Sequence, residues 1–172
     1  MTRRRLLPLA VLLALALAAT GCGGDDKSSS PSTAATQATS TSPSTTTYQT
    51  QVQTILTSVG TAGSTLGTAA QSSKSSADIA TALEKFQASV KQAADELAKL
   101  TAPAKAQTGQ DELEQVLREI ADGVQPSIDA AKANDRAKFT ATFKAYQAKL
   151  DGTYRQRLTA AGAKIDQALA GQ

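Results

Sequence analysis

From Tyr48 to Leu169 the apolar residues recur at steps of three and four, a spacing that fits helices and not half-buried strands. Tyr48, Val52, Ile55, Val59, Ala62, Leu66 and Ala69 form a first stripe. Ile79, Leu83, Phe86, Val90, Ala93, Leu97 and Leu100 form a second. Leu113, Leu117, Ile120, Val124 and Ile128 make a third. The fourth runs through Phe139, Phe143, Tyr146, Leu150, Tyr154, Leu158, Ala161, Ile165 and Leu169. Each stripe lies along one side of a helix, so each segment must bury that side against another.

The punctuation between stripes sets expected helices at 48–70, 76–100, 103–133 and 135–170. Ser75 followed by Asp78 has capping-box form, and Asp135 can cap the fourth segment. The third opens either at Thr101 with Pro103 or at Thr108 with Asp111. Pro126 lies inside its pattern and should kink it near that residue. Four amphipathic segments joined by short turns predict an all-α domain over 48–172, an antiparallel four-helix bundle with coiled-coil-like packing. Its first helix should be the weakest, because Gly60, Gly63 and Gly67 each cost about 1 kcal/mol relative to Ala.

The first 47 residues are of another kind. Arg3, Arg4 and Arg5 precede a 14-residue apolar run from Leu6 to Ala19, and Ala19-Thr20-Gly21-Cys22 closes it. That order reads as a cleaved secretory signal over residues 1–21, too short to span a bilayer as a mature helix. The segment resembles a bacterial lipoprotein signal with its lipobox, departing from it at Ala19, where that motif usually has Leu. The resemblance implies lipidation of Cys22, the chain's single cysteine, and a lipid anchor on the extracytoplasmic face of the bacterial cell membrane. Thr2 to Leu7 also resembles a twin-arginine export motif, although the apolar core and short charged start fit general secretion better. Residues 22–47 then read as a disordered tether, since 14 of the 20 residues from Ser28 to Thr47 are Ser or Thr. Such a coil would hold the domain about 25–30 Å from the membrane, and its Ser/Thr/Pro composition suits O-glycosylation or a plain spacer. The layout looks like that of many small exported lipoproteins of high-GC Gram-positive bacteria.

Removal of the signal takes three of 18 basic residues and leaves 15 against 15 acidic ones. A neutral mature chain gives no general argument for nucleic-acid binding. The chain has no His and no Trp, and its one Met is the first residue. Without imidazole, a Ser-His-Asp triad, a His-type zinc site and a Glu-x-x-His di-iron bundle are excluded. No cofactor or metal site is expected, and the chain reads as a non-enzyme.

Three groups remain as candidate sites. Residues 103–134 carry six acids against three bases, and residues 135–172 carry seven bases against three acids. Complementarity between neighbouring helices accounts for that polarity, together with i,i+4 pairs Asp95–Lys99, Glu114–Arg118 and Asp151–Arg155. The alternative is a basic face for anionic lipid or cell-wall polymer. Phe139, Phe143, Tyr146 and Tyr154 have the spacing of a core stripe, and could instead line an apolar ligand slot. Asp111, Glu112 and Glu114 sit where a helix's first turn favours acids in any case. The expected role is a membrane-anchored interaction module for an envelope protein or cell-wall polymer. The alternative is a carrier or sensor of an apolar or amphiphilic ligand. Oligomeric state is not written in these features.

Overall fold

The computed structural model describes residues 44–73 and 75–170, and every regular element among them is helical. The signal segment, Cys22 and the Ser/Thr-rich stretch up to residue 43 lie outside the described residues. The elements are α1 (Thr45–Ser72), α2 (Ser76–Ala98), α3 (Gln107–Gly123), α4 (Gln125–Lys132), α5 (Arg136–Lys149), a π-helical turn (Leu150–Tyr154) and α6 (Arg155–Ala170). These make four rods, the third broken between α3 and α4 and the fourth at the π-turn.

Local chemistry explains most of the boundaries. Ser44 accepts the Thr47 backbone N–H at 3.3 Å and so starts α1 ahead of the first apolar residue, Tyr48. At α2 the capping box closes in both directions, the Asp78 N–H to Ser75 Oγ and the Ser75 N–H to Asp78 Oδ2, each 3.1 Å. Asp135 accepts the Lys138 N–H at 2.9 Å and caps α5.

The third rod departs from expectation. Neither Thr101 nor Thr108 caps it; α3 begins after Ala106, which has no side-chain cap and closes a turn onto the Pro103 carbonyl at 2.7 Å. The loop is fixed instead from inside. Buried Gln110 donates its Nε2 to the carbonyls of Leu97 and Leu100, at 3.0 and 3.1 Å, tying the first turn of α3 to the end of α2. The Leu97 carbonyl also accepts the Leu100 N–H at 3.0 Å, so Gln110 adds a second donor there. Pro126 falls in the first turn of α4, where its missing N–H is tolerated, and the rod breaks just before it.

The fourth rod was expected as one helix and is interrupted by the π-turn. The wider turn absorbs one residue, so Tyr154 returns to the same side of the rod as Tyr146, eight positions earlier.

α2 is the hub, packed on α1, α3 and α4, while α3 packs on α6 and α4 on α5. Partners across these contacts run in opposite numerical order. Glu84 meets Lys132 at 2.5 Å, Lys91 meets Asp122 at 3.5 Å and Asp95 meets Arg118 at 3.0 Å. Glu112 pairs with Lys164 and Glu119 with Arg157 between α3 and α6.

The core is densest where α2, α3 and α6 meet, around Leu97, Leu113, Leu117 and Ala161. A Cβ added at Gly109 would lie 2.8 Å from Ile165 Cγ1 and 3.1 Å from the Ala161 carbonyl oxygen, so this glycine is what lets α3 approach α6. α1 behaves differently. Its buried residues are Tyr48, Val52 and Ile55, all in the first half, and Gly60, Gly63 and Gly67 face open space. It carries no charged residue in 28. Many of its hydroxyls turn back onto carbonyls one turn earlier, including Thr50 onto Thr46, Thr54 onto Thr50, Thr61 onto Thr57 and Thr65 onto Thr61.

Candidate functional site

The four aromatics singled out in the sequence divide into two pairs with different work. Phe139 and Phe143 stack on α5 with centroids 5.4 Å apart and planes 12° from parallel; both are half-buried against the core. Phe143 also meets Tyr146 at 6.5 Å. Phe139 borders a shallow cavity of about 290 Å³ at the end of the fold, shared with Ile79, Ala130, Asp135 and Arg136. Phe143, Tyr146 and Tyr154 do not line it.

Tyr146 and Tyr154 instead reach the break in the third rod. Tyr146 donates its hydroxyl to the Ile120 carbonyl at 3.1 Å, and Tyr154 to the Glu119 carbonyl at 3.3 Å. From the other side Gln87 of α2 donates to the Ala121 carbonyl at 2.8 Å and to Gln125 Oε1 at 3.0 Å. Three consecutive carbonyls of the last turn of α3 thus receive side-chain donors from two flanking rods. The turn just before a helix break leaves carbonyls short of partners, so these donors supply what the interrupted ladder cannot. Gly123 makes room for them: a Cβ there would lie 3.1 Å from Tyr154 Oη and 3.4 Å from the Tyr146 ring. Burial pushes the ionisation of both phenols upward, so they remain protonated donors and are poor bases at ordinary pH.

Charged groups sort as sharply. Asp111 accepts from Gln107 at 2.8 Å, Glu112 pairs with Lys164, and Glu114 pairs with Arg118 at 2.9 Å, so the acidic run disperses to separate partners. Arg118 also takes Asp95 across the α2–α3 contact, and the expected Asp95–Lys99 pair does not form. A guanidinium fork can hold two carboxylates at once, and Lys99 sits at the end of α2, beyond its last helical turn. Asp151–Arg155 does form, at 3.1 Å. The hydrogen bond from Arg157 holds the Glu119 carboxyl below its ordinary range.

The basic C-terminal third is therefore not uniform. On α6, Arg157 and Lys164 are bound to α3 acids. On α5, Arg136, Lys138, Lys144 and Lys149 are exposed, and no described acid lies within ion-pair distance of any of them.

Sequence reasoning missed Gln87, Gln110, Gly109 and Gly123. A glutamine or glycine on the inward side of a strongly apolar helix was the available signal, since either is out of place there unless it fills a polar or steric need. No family model matches the chain, and no curated protein or solved structure is significantly similar to it.

Proposed function

We propose that the protein is a membrane-anchored extracytoplasmic lipoprotein whose helical domain is a non-enzymatic interaction module on a flexible stalk. The observation that carries this reading is the order of its first 22 residues: three arginines, an unbroken run ending in small residues, and the chain's single cysteine. The reversed order of cross-helix partners supports an antiparallel four-helix bundle as the displayed unit. Its polar side chains support a structural body, since Tyr146, Tyr154 and Gln110 donate between rods and five carboxylates pair between them. An envelope protein or cell-wall polymer is the kind of partner such a module would meet. The test is the intact mass of the native amino-terminal peptide, expected to begin at an acylated Cys22, together with release of a Cys22→Ser chain into the medium. A native chain with an unmodified thiol at that position sinks the anchor.

A second reading, a carrier or sensor of an apolar or amphiphilic molecule, draws support from the half-buried Phe139–Phe143 stack beside the 290 Å³ cavity. Native mass spectrometry after incubation with a lipid extract separates the two. A retained small molecule favours the carrier, and a bare chain the interaction module.

A further inference from the structure

We propose that the exposed side of α5 is a docking face for an anionic phospholipid surface. α5 contains four cations and no acid over its 14 residues. All four cations are exposed and none has an ion-pair partner among the described residues. That sets α5 apart from α6, whose Arg155, Arg157 and Lys164 are each bound to a carboxylate. Lys85 and Lys99 also stand without an ion pair among the described residues, but only on α5 do four cations share one helix with no acid.

The arrangement says what kind of anion fits. At about 100° per residue Lys144 lies opposite Tyr146, with Arg136 on one flank of α5 and Lys138 and Lys149 on the other, so the cations spread around the rod instead of lining one column. Beside Lys144 on the outer side lie Ala137, Ala141 and Ala148, small enough for the long flanking side chains to reach toward a surface laid there. The helix's two phenylalanines are turned toward the core, so its exposed side offers no large apolar anchor of the sort that dominates specific protein interfaces. A fixed partner would have to match a dispersed arc of charge. Mobile lipid headgroups gather around such an arc wherever the cations happen to lie, and each Lys or Arg near an anionic leaflet contributes additively. The inference rests on the anchored reading only for its account of where the lipid is.

The chain from residue 22 onward, carrying Cys22→Ser so that the protein bears no acyl group, is suitable because every buried residue among the described ones lies between Tyr48 and Leu169. It would be sedimented with vesicles of phosphatidylcholine alone and with vesicles holding about a third phosphatidylglycerol. Binding is expected only to the second, weakening as salt is raised. Arg136→Gln, Lys138→Gln, Lys144→Gln and Lys149→Gln should each weaken it about fivefold. Arg155→Gln, a control of equal charge change, should stay within about twofold. Circular dichroism would confirm that each variant is folded. Equal affinity for both vesicles, no affinity for either, or an α5 series no weaker than the control overturns the proposal. Capture by a soluble poly(glycerol phosphate) without vesicle binding overturns it as well, assigning the face to a polymer. Because the protein in this assay carries no acyl chain, its failure leaves the anchor standing, and loss of the anchor leaves this face standing.

Discussion

At the α3–α6 contact two backbones close on each other over Gly109, and the surrounding side chains are almost completely shielded from water. In the second half of α1 and the first half of α5 the same periodic pattern produces only half-buried residues: Val59, Ala62 and Leu66 on one, Phe139 and Phe143 on the other. The two regions have similar apolar spacing, so spacing does not set tightness. What differs is the neighbour. α3 lies between α2 and α6, whereas α1 has α2 as its principal contact and α5 has α4. A stripe buries as much as the surfaces facing it allow, and a helix with one close neighbour keeps part of its apolar side wet.

The largest test of that contrast is truncation of a leucine in each region. Leu117→Ala should cost about 3 kcal/mol, with a cavity left behind in rigid surroundings, and Leu66→Ala about 1 kcal/mol. Equal losses in denaturant titration would erase the distinction. A second test turns on sign. Gly109→Ala should destabilise by about 1–2 kcal/mol through overpacking against Ile165, while Gly63→Ala, with open space around it, should stabilise by up to about 1 kcal/mol through helix propensity.

A third compares two buried phenols. Tyr146→Phe removes the donor to the Ile120 carbonyl and should cost about 1 kcal/mol. Tyr48→Phe removes a buried hydroxyl with no hydrogen-bond partner among the described groups and should leave stability unchanged or slightly higher. Burial, with the nearby Asp111 charge, pushes the Tyr48 phenol from 10.0 up to about 12. Its contribution is intact below the unfolded value and is lost as pH rises from 10.0 toward 12, so Tyr48→Phe should flatten the alkaline limb of a stability profile.

The smallest effect belongs to the α3–α6 ion pair. Glu119 has a lowered folded value, so its contribution is present above the ordinary glutamate range and fades as pH falls through that lowered value. Glu119→Gln should shallow the acid limb measurably, and high salt should shrink the difference, because the pair is partly exposed.

Much of the fold was legible. The stripes located the rods, Ser75 and Asp135 marked two starts, and Pro126 marked the break. The π-turn was legible in principle and was passed over. From Tyr146 to Leu158 the stripe advances by three successive fours, a drift that a regular helix at 3.6 residues per turn does not keep on one side. The start of α3 was hidden for another reason: Gln110 fixes that loop from inside, and no hydroxyl at the helix end announces it. Local capping rules see only neighbours in sequence, whereas Leu97 and Leu100 become neighbours through the fold. The same limit applies to charge. Composition gave the sign of the C-terminal third, but only the pairing of α6 with α3 singles out α5 as uncompensated.

The inward-turned hydroxyls of α1 determine how that rod meets its surroundings. Once a threonine proton is committed to a main-chain oxygen, what it offers outward is a lone pair and a methyl group. With no formal charge anywhere along it, the rod's outer side is a poor target for salt or acid, and the donors it shows to solvent include the amides of Gln51, Gln53 and Gln71. Anything that recognises it by polar contacts must therefore read amides and hydroxyl lone pairs instead of charge.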